Sequence, residues 1–144
     1  MLFGKKERRI TRVLIVEDEP LVAFDNEHFL TIEGYEIVGT LDSVVAAIEM
    51  IAGEEDIHLV LVDVELSDGS GVDVARAASE RGIKVMFVTG NCPGDAREFA
   101  AGCLSKPYPQ RDLLASIAVL EKMLDGKPPP KRLPAGFSLF LTAA

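Results

Sequence analysis

The stretch His58–Leu66, with the sequence HLVLVDVEL, decides the predicted fold, because apolar residues run without a break into an acid. A Val/Leu run of this kind is typical of a strand covered on both faces, as in a parallel sheet. The acid, Asp63, is soon followed by the turn-rich segment Ser67–Gly71. Open α/β sheets bind ligands at the carboxyl ends of their strands, so Asp63 is a candidate functional residue. An aspartate that merely ends a strand at a turn is the plain alternative.

Segments of helical and strand character alternate on both sides of this stretch. Apolar residues at helical spacing predict a first helix from Pro20, with Leu21, Phe24, His28 and Ile32 on its buried stripe, and a last helix over Gln110–Leu124. The pattern predicts an α/β fold with a five-stranded parallel sheet and helices on both faces. The four other predicted strands are Arg12–Val16, Tyr35–Leu41, Lys84–Val88 and Cys103–Ser105.

Composition and charge exclude several classes of function. The chain has 144 residues, 48% of them hydrophobic, and a formal net charge of −8. This acidity does not support binding to nucleic-acid phosphates, and no apolar run approaches the length of a membrane span, so neither partner is expected. The two cysteines, Cys92 and Cys103, have no metal-ligand spacing and form no disulfide framework. We therefore expect a cytoplasmic, reduced protein.

Three regions follow from changes of composition along the chain. Residues 1–9 form a basic N-terminal extension, and residues 10–125 carry the alternating strands and helices. Residues 126–144 begin with a Pro-rich linker and end in a tail with the apolar patch Phe137–Leu141. This patch could add a strand to the sheet of a partner or cover the protein's own signalling face.

Charged and hydroxylic residues stand where the predicted parallel strands end. Parallel strands direct their carboxyl ends to the same rim, which would bring together Glu17, Asp18, Asp63, Thr89 and Lys106. Clustered carboxylates repel one another and need a cation, and Mg²⁺ suits hard oxygen ligands at a half-open site. Lys106 and Thr89 could then bind phosphoryl oxygens, with an aspartate as the nucleophile.

These motifs together resemble the receiver domain of two-component response regulators, of the single-domain, chemotaxis type. The resemblance covers residues 10–125 and implies a flavodoxin-like, doubly wound sheet with the strand order 2-1-3-4-5, for which a chemotaxis regulator is a known example. The order and spacing of the fragments carry the resemblance. The matching fragments are Val13–Pro20, Leu61–Val64 with Gly69–Gly71, Phe87–Gly90 and Leu104–Tyr108.

The resemblance implies a role for each residue at the rim. Asp63 would be the phosphoacceptor, and Asp18 and Asp63 would bind Mg²⁺ directly, together with the backbone carbonyl of Glu65. Glu17 would act through a metal-bound water. Thr89 would be the switch hydroxyl and Lys106 the cation that senses the phosphoryl group, aimed by a cis bond to Pro107.

The chain departs from the receiver pattern at Cys103. Most receivers have Tyr or Phe at this position, and its ring moves inward together with the switch threonine. Phe87-Val88-Thr89-Gly90, together with this lost aromatic residue, partly resembles a proteobacterial receiver subgroup with the signature Phe-Ala-Thr-Gly. The resemblance therefore leaves open how Asp63 is coupled to the surface that would signal.

We expect a single-domain response regulator that accepts a phosphoryl group on Asp63 from a histidine kinase or a histidine phosphotransfer protein. It would signal through protein–protein contact, and the sequence leaves a homodimer open. The alternative is a phosphate sink or a phosphorylation-independent adaptor whose tail binds a partner. The chain would not be an enzyme in the usual sense, although autodephosphorylation is compatible with the family. A phosphatase with an aspartate nucleophile is disfavoured, because Glu65 stands where a second aspartate is expected.

Overall fold

Strands and helices alternate along the chain in the computed structural model, which describes residues 8–54 and 56–140. The described helices are α1 (Pro20–Ile32), α2 (Val44–Gly53), α3 (Gly71–Glu80) and α4 (Gln110–Leu124). The described strands are β1 (Arg12–Val16), β2 (Glu36–Leu41), β3 (Leu59–Val62), β4 (Glu65–Leu66), β5 (Gly69–Ser70), β6 (Lys84–Thr89), β7 (Gly102–Ser105) and β8 (Phe137–Leu139). None of these helices is long and apolar enough to cross a membrane.

The main sheet has the order β2-β1-β3-β6-β7-β8. Its first five strands are parallel, which confirms the predicted order 2-1-3-4-5 and the flavodoxin-like fold. The sequence predicted five strands, whereas the sheet has six, because the tail contributes the antiparallel strand β8. Strands β4 and β5 form a separate small hairpin directly after Asp63.

Alternate residues of the central strands contribute to two cores, one on each face of the sheet. Val13 and Ile15 of β1 belong to the core that α1 and α4 cover, whereas Leu14 and Val16 belong to the core under α2 and α3. Every residue of β3 is buried. The continuous apolar runs in the sequence therefore reflect strands with no solvent-facing side.

The predicted orientation of α1 is wrong. The helix buries Ala23, Asn26 and Leu30, while Leu21 and Phe24 of the predicted stripe are 78% and 65% exposed. His28 is also exposed, and its ring stacks on that of Phe24. Sequence periodicity favoured the larger side chains for the core, but α1 uses a small residue and a hydrogen-bonded asparagine there and leaves an apolar stripe in solvent.

The tail returns to the sheet and pairs with β7. Leu104 faces Phe137 across this antiparallel pair, and the Ser105 amide donates to the Gly136 carbonyl at 2.9 Å. Phe137 is only 6% exposed, because its ring lies over Gly102, where an added Cβ would come within 2.8 Å of it. The apolar patch thus covers the chain's own sheet edge as far as Phe140; Leu141 lies outside the described residues. Of the basic extension, residues 1–7 also lie outside them.

The structure contradicts the expectation of two free cysteines. Cys92, in the loop after β6, forms a disulfide with Cys103 of β7. Their sequence separation of 11 resembles no known framework, but β6 and β7 are neighbours in the sheet, and the Cα atoms of the two cysteines lie 6.0 Å apart. Pairing therefore depends on tertiary proximity, which the spacing of two cysteines does not reveal.

We expect Phe137→Ala to lower the free energy of unfolding by about 3 kcal/mol, because it removes a buried ring from the core. Urea denaturation of the full chain, followed by circular dichroism, measures this loss. Ser138→Ala is the matched control, since Ser138 is exposed on the same strand and should change stability little. Equal stability of both variants would show that β8 is not part of the folded core.

Candidate functional site

The predicted site residues meet at the carboxyl rim of the sheet. Glu17 and Asp18 follow β1, Asp63 follows β3, Thr89 ends β6 and Lys106 follows β7. Because these strands are parallel, each side chain leaves its strand at the same edge. A cavity of about 440 Å³ opens there, and its lining includes Asp18, Asp63, Glu65 and Lys106.

Lys106 connects the carboxylates of this rim. Its Nζ lies 2.8 Å from Oδ2 of Asp63 and 2.9 Å from Oε1 of Glu17, and it also contacts Glu19. The Lys106 side chain is 16% exposed, whereas those of Asp63 and Glu17 are 7% and 3% exposed. The ion pairs are therefore shielded from water, and the ammonium neutralises charges that would otherwise repel one another.

Asp63 is held at both carboxylate oxygens. Oδ1 accepts a hydrogen bond of 3.0 Å from the Glu65 amide, and Oδ2 accepts from Lys106. The backbone of Asp63 packs against Gly71 so tightly that a Cβ at Gly71 would lie 2.0 Å from the Asp63 carbonyl oxygen. A residue without a side chain is needed at the start of α3, so that the strand end and the helix can approach.

Burial and hydrogen bonding shift two pKa values at the rim. Burial raises the pKa of the Glu17 carboxyl to about 7, although hydrogen bonds from Lys106 and from the Glu19 amide oppose this shift. For Lys106, burial favours the neutral amine, but hydrogen bonds to Asp63, Glu19 and Glu17 outweigh it and raise its pKa above the ordinary value. Lys106 is therefore a permanent cation, while Glu17 titrates near neutral pH.

The carboxylates have a donor set that fits a divalent cation. One oxygen each from Glu17, Asp18 and Asp63 lies within 4.8 Å of the others. Hard oxygen ligands on one open side of a cavity suit Mg²⁺, which keeps several of its waters. When bound, the ion would stabilise negative charge on transferring oxygens. The Glu65 amide points to Asp63, and metal binding by the Glu65 carbonyl stays a prediction.

Thr89 has a buried hydroxyl without a hydrogen-bond partner. The residue is 1% exposed, and its Oγ1 contacts no donor or acceptor in the described part of the chain. A buried hydroxyl in this state carries a desolvation cost that an incoming oxygen could relieve. Its main-chain carbonyl accepts from the Lys106 amide at 2.8 Å, and the Lys106–Pro107 bond is cis, as the resemblance implied.

Sequence reasoning missed two kinds of residue at this site. Glu19 belongs to the acidic run Glu17–Glu19 but was not among the predicted site residues, and it is a third carboxylate partner of Lys106. Asn26, on the buried side of α1, exchanges hydrogen bonds of 2.8 and 3.1 Å with the Tyr108 hydroxyl next to Pro107. The acidic run could have indicated Glu19, but a polar residue on a helix gives no sign of a partner 82 positions away.

Comparison with known families agrees with the geometry of this rim. A model of the response regulator receiver domain matches residues 13–118. The chain belongs to the response regulator receiver family. Phosphoacceptor chemistry is a property of this family, and receiver domains generally bind Mg²⁺ in an acidic pocket. This chain has an acidic cluster of Glu17, Asp18 and Asp63 at the rim.

Relatives of this receiver domain include proteins of different lengths. PdtaR, a transcriptional regulatory protein of Mycobacterium tuberculosis, is 36% identical over 115 residues, which are 74% of this chain and 54% of the relative. The chain thus spans about half of the length of PdtaR. CpdR, a receiver protein of Brucella abortus, is 34% identical over 121 residues, which are 78% of this chain and 96% of the relative.

Solved structures show the same fold. A CheY-like receiver domain protein from Methanospirillum hungatei superposes with a TM-score of 0.71 at 28% identity, over 81% of this chain and 97% of that one. A signal receiver domain from Vibrio parahaemolyticus, described as part of a putative LuxO repressor, gives 0.69 at 26% identity, over 80% and 92%. The receiver fold therefore accounts for about four fifths of the chain.

We expect the affinity for Mg²⁺ to rise about tenfold between pH 6 and pH 8, because a proton on Glu17 competes with the ion below its pKa. Isothermal titration calorimetry of the full chain over this range measures the change. In Glu17→Gln the affinity should be weaker and nearly independent of pH. Glu19→Gln, which alters an exposed carboxylate on the same lysine, is the control and should retain the pH dependence. If the Mg²⁺ affinity of Glu17→Gln depended on pH as strongly as that of the unsubstituted chain, Glu17 would not be the titrating group.

Proposed function

We propose that this receiver accepts a phosphoryl group on Asp63 from a histidine kinase or a histidine phosphotransfer protein in the cytoplasm and signals through protein–protein contact. One observation carries the proposal. Asp63 is joined to Lys106 at 2.8 Å beside two further carboxylates, and it lines the open cavity at the strand ends. This combination suits a phosphoacceptor better than a structural ion pair, which needs neither the cavity nor the extra acids.

Each polar group has a place in the transfer. A carboxylate oxygen of Asp63 would attack phosphorus, while the bond from phosphorus to the donor's imidazole nitrogen breaks and its electron pair stays on that nitrogen. Lys106 would move from the carboxylate to a phosphoryl oxygen, and the partnerless hydroxyl of Thr89 would donate to another. Phosphorylation thereby offers Thr89 the hydrogen bond that it lacks, which supports its role as the switch residue.

The exposed apolar stripe of α1 suits docking of the phosphohistidine donor. Leu21 and Phe24 lie on the first turns of α1, immediately after the acidic residues of the rim. A cavity of about 380 Å³ lies beside the rim, between α1 and the Lys106–Gln110 segment, and Val22 and Asp25 of α1 line it. We propose that an apolar helix of the donor packs here, because solvent-exposed aromatic and leucine side chains next to a transfer site favour such contacts.

The sink or adaptor alternative receives less support from the tail. Phe137 is buried in the chain's own core, and β8 already pairs with β7. A free binding segment would leave its anchor side chain exposed, so partner binding through this patch would first require removing it from the sheet. The exposed stripe of α1 is the more accessible surface, and we favour a receiver whose state depends on phosphorylation.

Incubation of the full chain with acetyl phosphate and Mg²⁺ should add one phosphoryl group, measured by intact mass. Asp63→Asn should show no gain, because the acceptor oxygen is replaced by an amide. Lys106→Ala should reduce the gain at least tenfold by removing charge stabilisation. Omission of Mg²⁺ is the matched control. Uptake that persists in Asp63→Asn would place the acceptor elsewhere and contradict the proposal.

The double variant Leu21→Ala/Phe24→Ala should slow phosphoryl transfer from a phosphohistidine donor protein about tenfold or more, since apolar anchors dominate such interfaces. The donor is any phosphorylated histidine phosphotransfer protein that transfers its phosphoryl group to the unsubstituted chain. Uptake from acetyl phosphate should not change, because that donor needs no docking. Ile32→Ala is the matched control: Ile32 is 67% exposed but lies at the far end of α1. An equal effect of Ile32→Ala would contradict docking near the rim.

A further inference from the structure

We propose that Cys92 and Cys103 form a reversible thiol–disulfide modification site that restrains the crossover after Thr89 and thereby controls the response of this receiver to phosphorylation. The part of the proposal that concerns phosphorylation rests on the proposed function. The site itself rests on the observed disulfide and its position in the fold.

The disulfide lies next to both groups that would bind the phosphoryl oxygens. Cys92 follows Thr89 by three residues, and Cys103 precedes Lys106 by three residues. Thr89 also faces Ser105 across the β6–β7 pair, and its carbonyl accepts from the Lys106 amide. A covalent bond between the two cysteines therefore joins the loop beyond the switch hydroxyl to the strand that leads to the sensing cation.

The segment closed by this bond is the least regular crossover of the parallel sheet. Between β6 and β7 the described structure has one short 3₁₀ helix, Arg97–Phe99, where the other crossovers of the sheet have helices of ten or more residues. Ala96 is anchored in the core, but most residues from Gly90 to Glu98 are exposed. Few internal contacts hold this loop, so a disulfide across it restricts motions that packing would otherwise leave free.

The two sulfur atoms differ in access, which suits a bond that is made and broken. Cys103 is fully buried between β6 and β8, whereas Cys92 is exposed. A small thiol or disulfide would react first at Cys92, since reactivity needs access. In proteins that work in the cytoplasm, disulfides are usually transient and redox-sensing.

Oxidation needs a disulfide reagent such as oxidised glutathione. The Cys92 thiolate attacks one of its sulfurs and releases one glutathione thiolate, which leaves a mixed disulfide. The Cys103 thiolate then attacks the Cys92 sulfur and releases the second. The two cysteines lose two electrons and the reagent gains them; reduced glutathione reverses both steps.

The disulfide occurs together with a Thr89 hydroxyl that has no hydrogen-bond partner among the described residues. Contact of this hydroxyl with a phosphoryl oxygen would require Thr89 and the loop after it to move. Because the disulfide restrains this loop, it should oppose that movement and favour the unphosphorylated arrangement. Because coupling between two sites is reciprocal, phosphorylation of Asp63 should make the disulfide easier to reduce.

The first test follows amide hydrogen exchange of residues 90–101 in the unphosphorylated full chain. Reduction should speed exchange at least about tenfold, within the roughly hundredfold that closing a loop of this size can provide. The amides of Cys92→Ser should exchange as fast as those of the reduced unsubstituted chain, and reductant should not change that rate. Asp95→Ser, in the same loop, is the matched control and should keep its redox dependence. Equal exchange in both redox states, or thiols that stay free in excess oxidised glutathione, would overturn the proposal.

The second test measures the ratio of oxidised to reduced glutathione at which half of the protein contains the disulfide. Thiol alkylation followed by intact mass gives the oxidised fraction. Beryllofluoride with Mg²⁺, a phosphoryl mimic, should shift this ratio at least about fivefold towards more oxidising conditions, the lower end of typical coupling. Asp63→Asn should show no shift. An identical ratio with and without bound mimic would overturn the coupling. Failure of phosphorylation in both redox states would contradict the proposed function instead. The hydrogen-exchange test would still show whether the disulfide restrains the loop.

Discussion

The contact of the Lys106 ammonium with Asp63 and Glu17 is the interaction on which the site depends. Three strands end in carboxylates or a cation at one rim, and without the ammonium the acids would stand close together in a partly dry pocket. The same contact ties β7 to β1 and β3, since Lys106 follows β7 while its partners follow the other two. A change of charge on Asp63 should therefore change the interaction that holds Lys106, and with it the position of β7.

This dependence makes the surroundings of β7 relevant to the proposed function. The Lys106 amide bonds to Thr89, the Ser105 amide bonds to Gly136 of the tail, and Cys103 is covalently joined to the loop after β6. The Thr89 backbone, a tail strand and a disulfide thus all contact β7, a strand of four residues, or the residue that follows it. The tail is part of this arrangement, because it closes the edge that β7 would otherwise present to other chains.

The α1 stripe and the sheet edge beyond β7 have opposite characters. The apolar, exposed α1 stripe begins directly after the acidic residues of the rim, which suits the proposed docking of a donor close to Asp63. The edge beyond β7 is already filled by the chain's own strand, anchored by a ring over Gly102. The proposed docking surface on α1 and the loop after β6, whose movement we propose to carry the response, therefore lie on different elements of the fold.

The sequence by itself determined the elements that depend on local pattern. Runs such as Leu59–Val62 are apolar at every position because both faces are covered, and parallel strands then require their terminal residues to share one rim, so Asp63, Thr89 and Lys106 could be named in advance. Only the tertiary structure decided which stripe of α1 is buried, because Asn26 is there satisfied by Tyr108, distant in sequence. It also decided the Cys92–Cys103 bond and the return of Phe137 to β7. Periodicity reports local geometry, whereas these contacts depend on how separate segments meet in space.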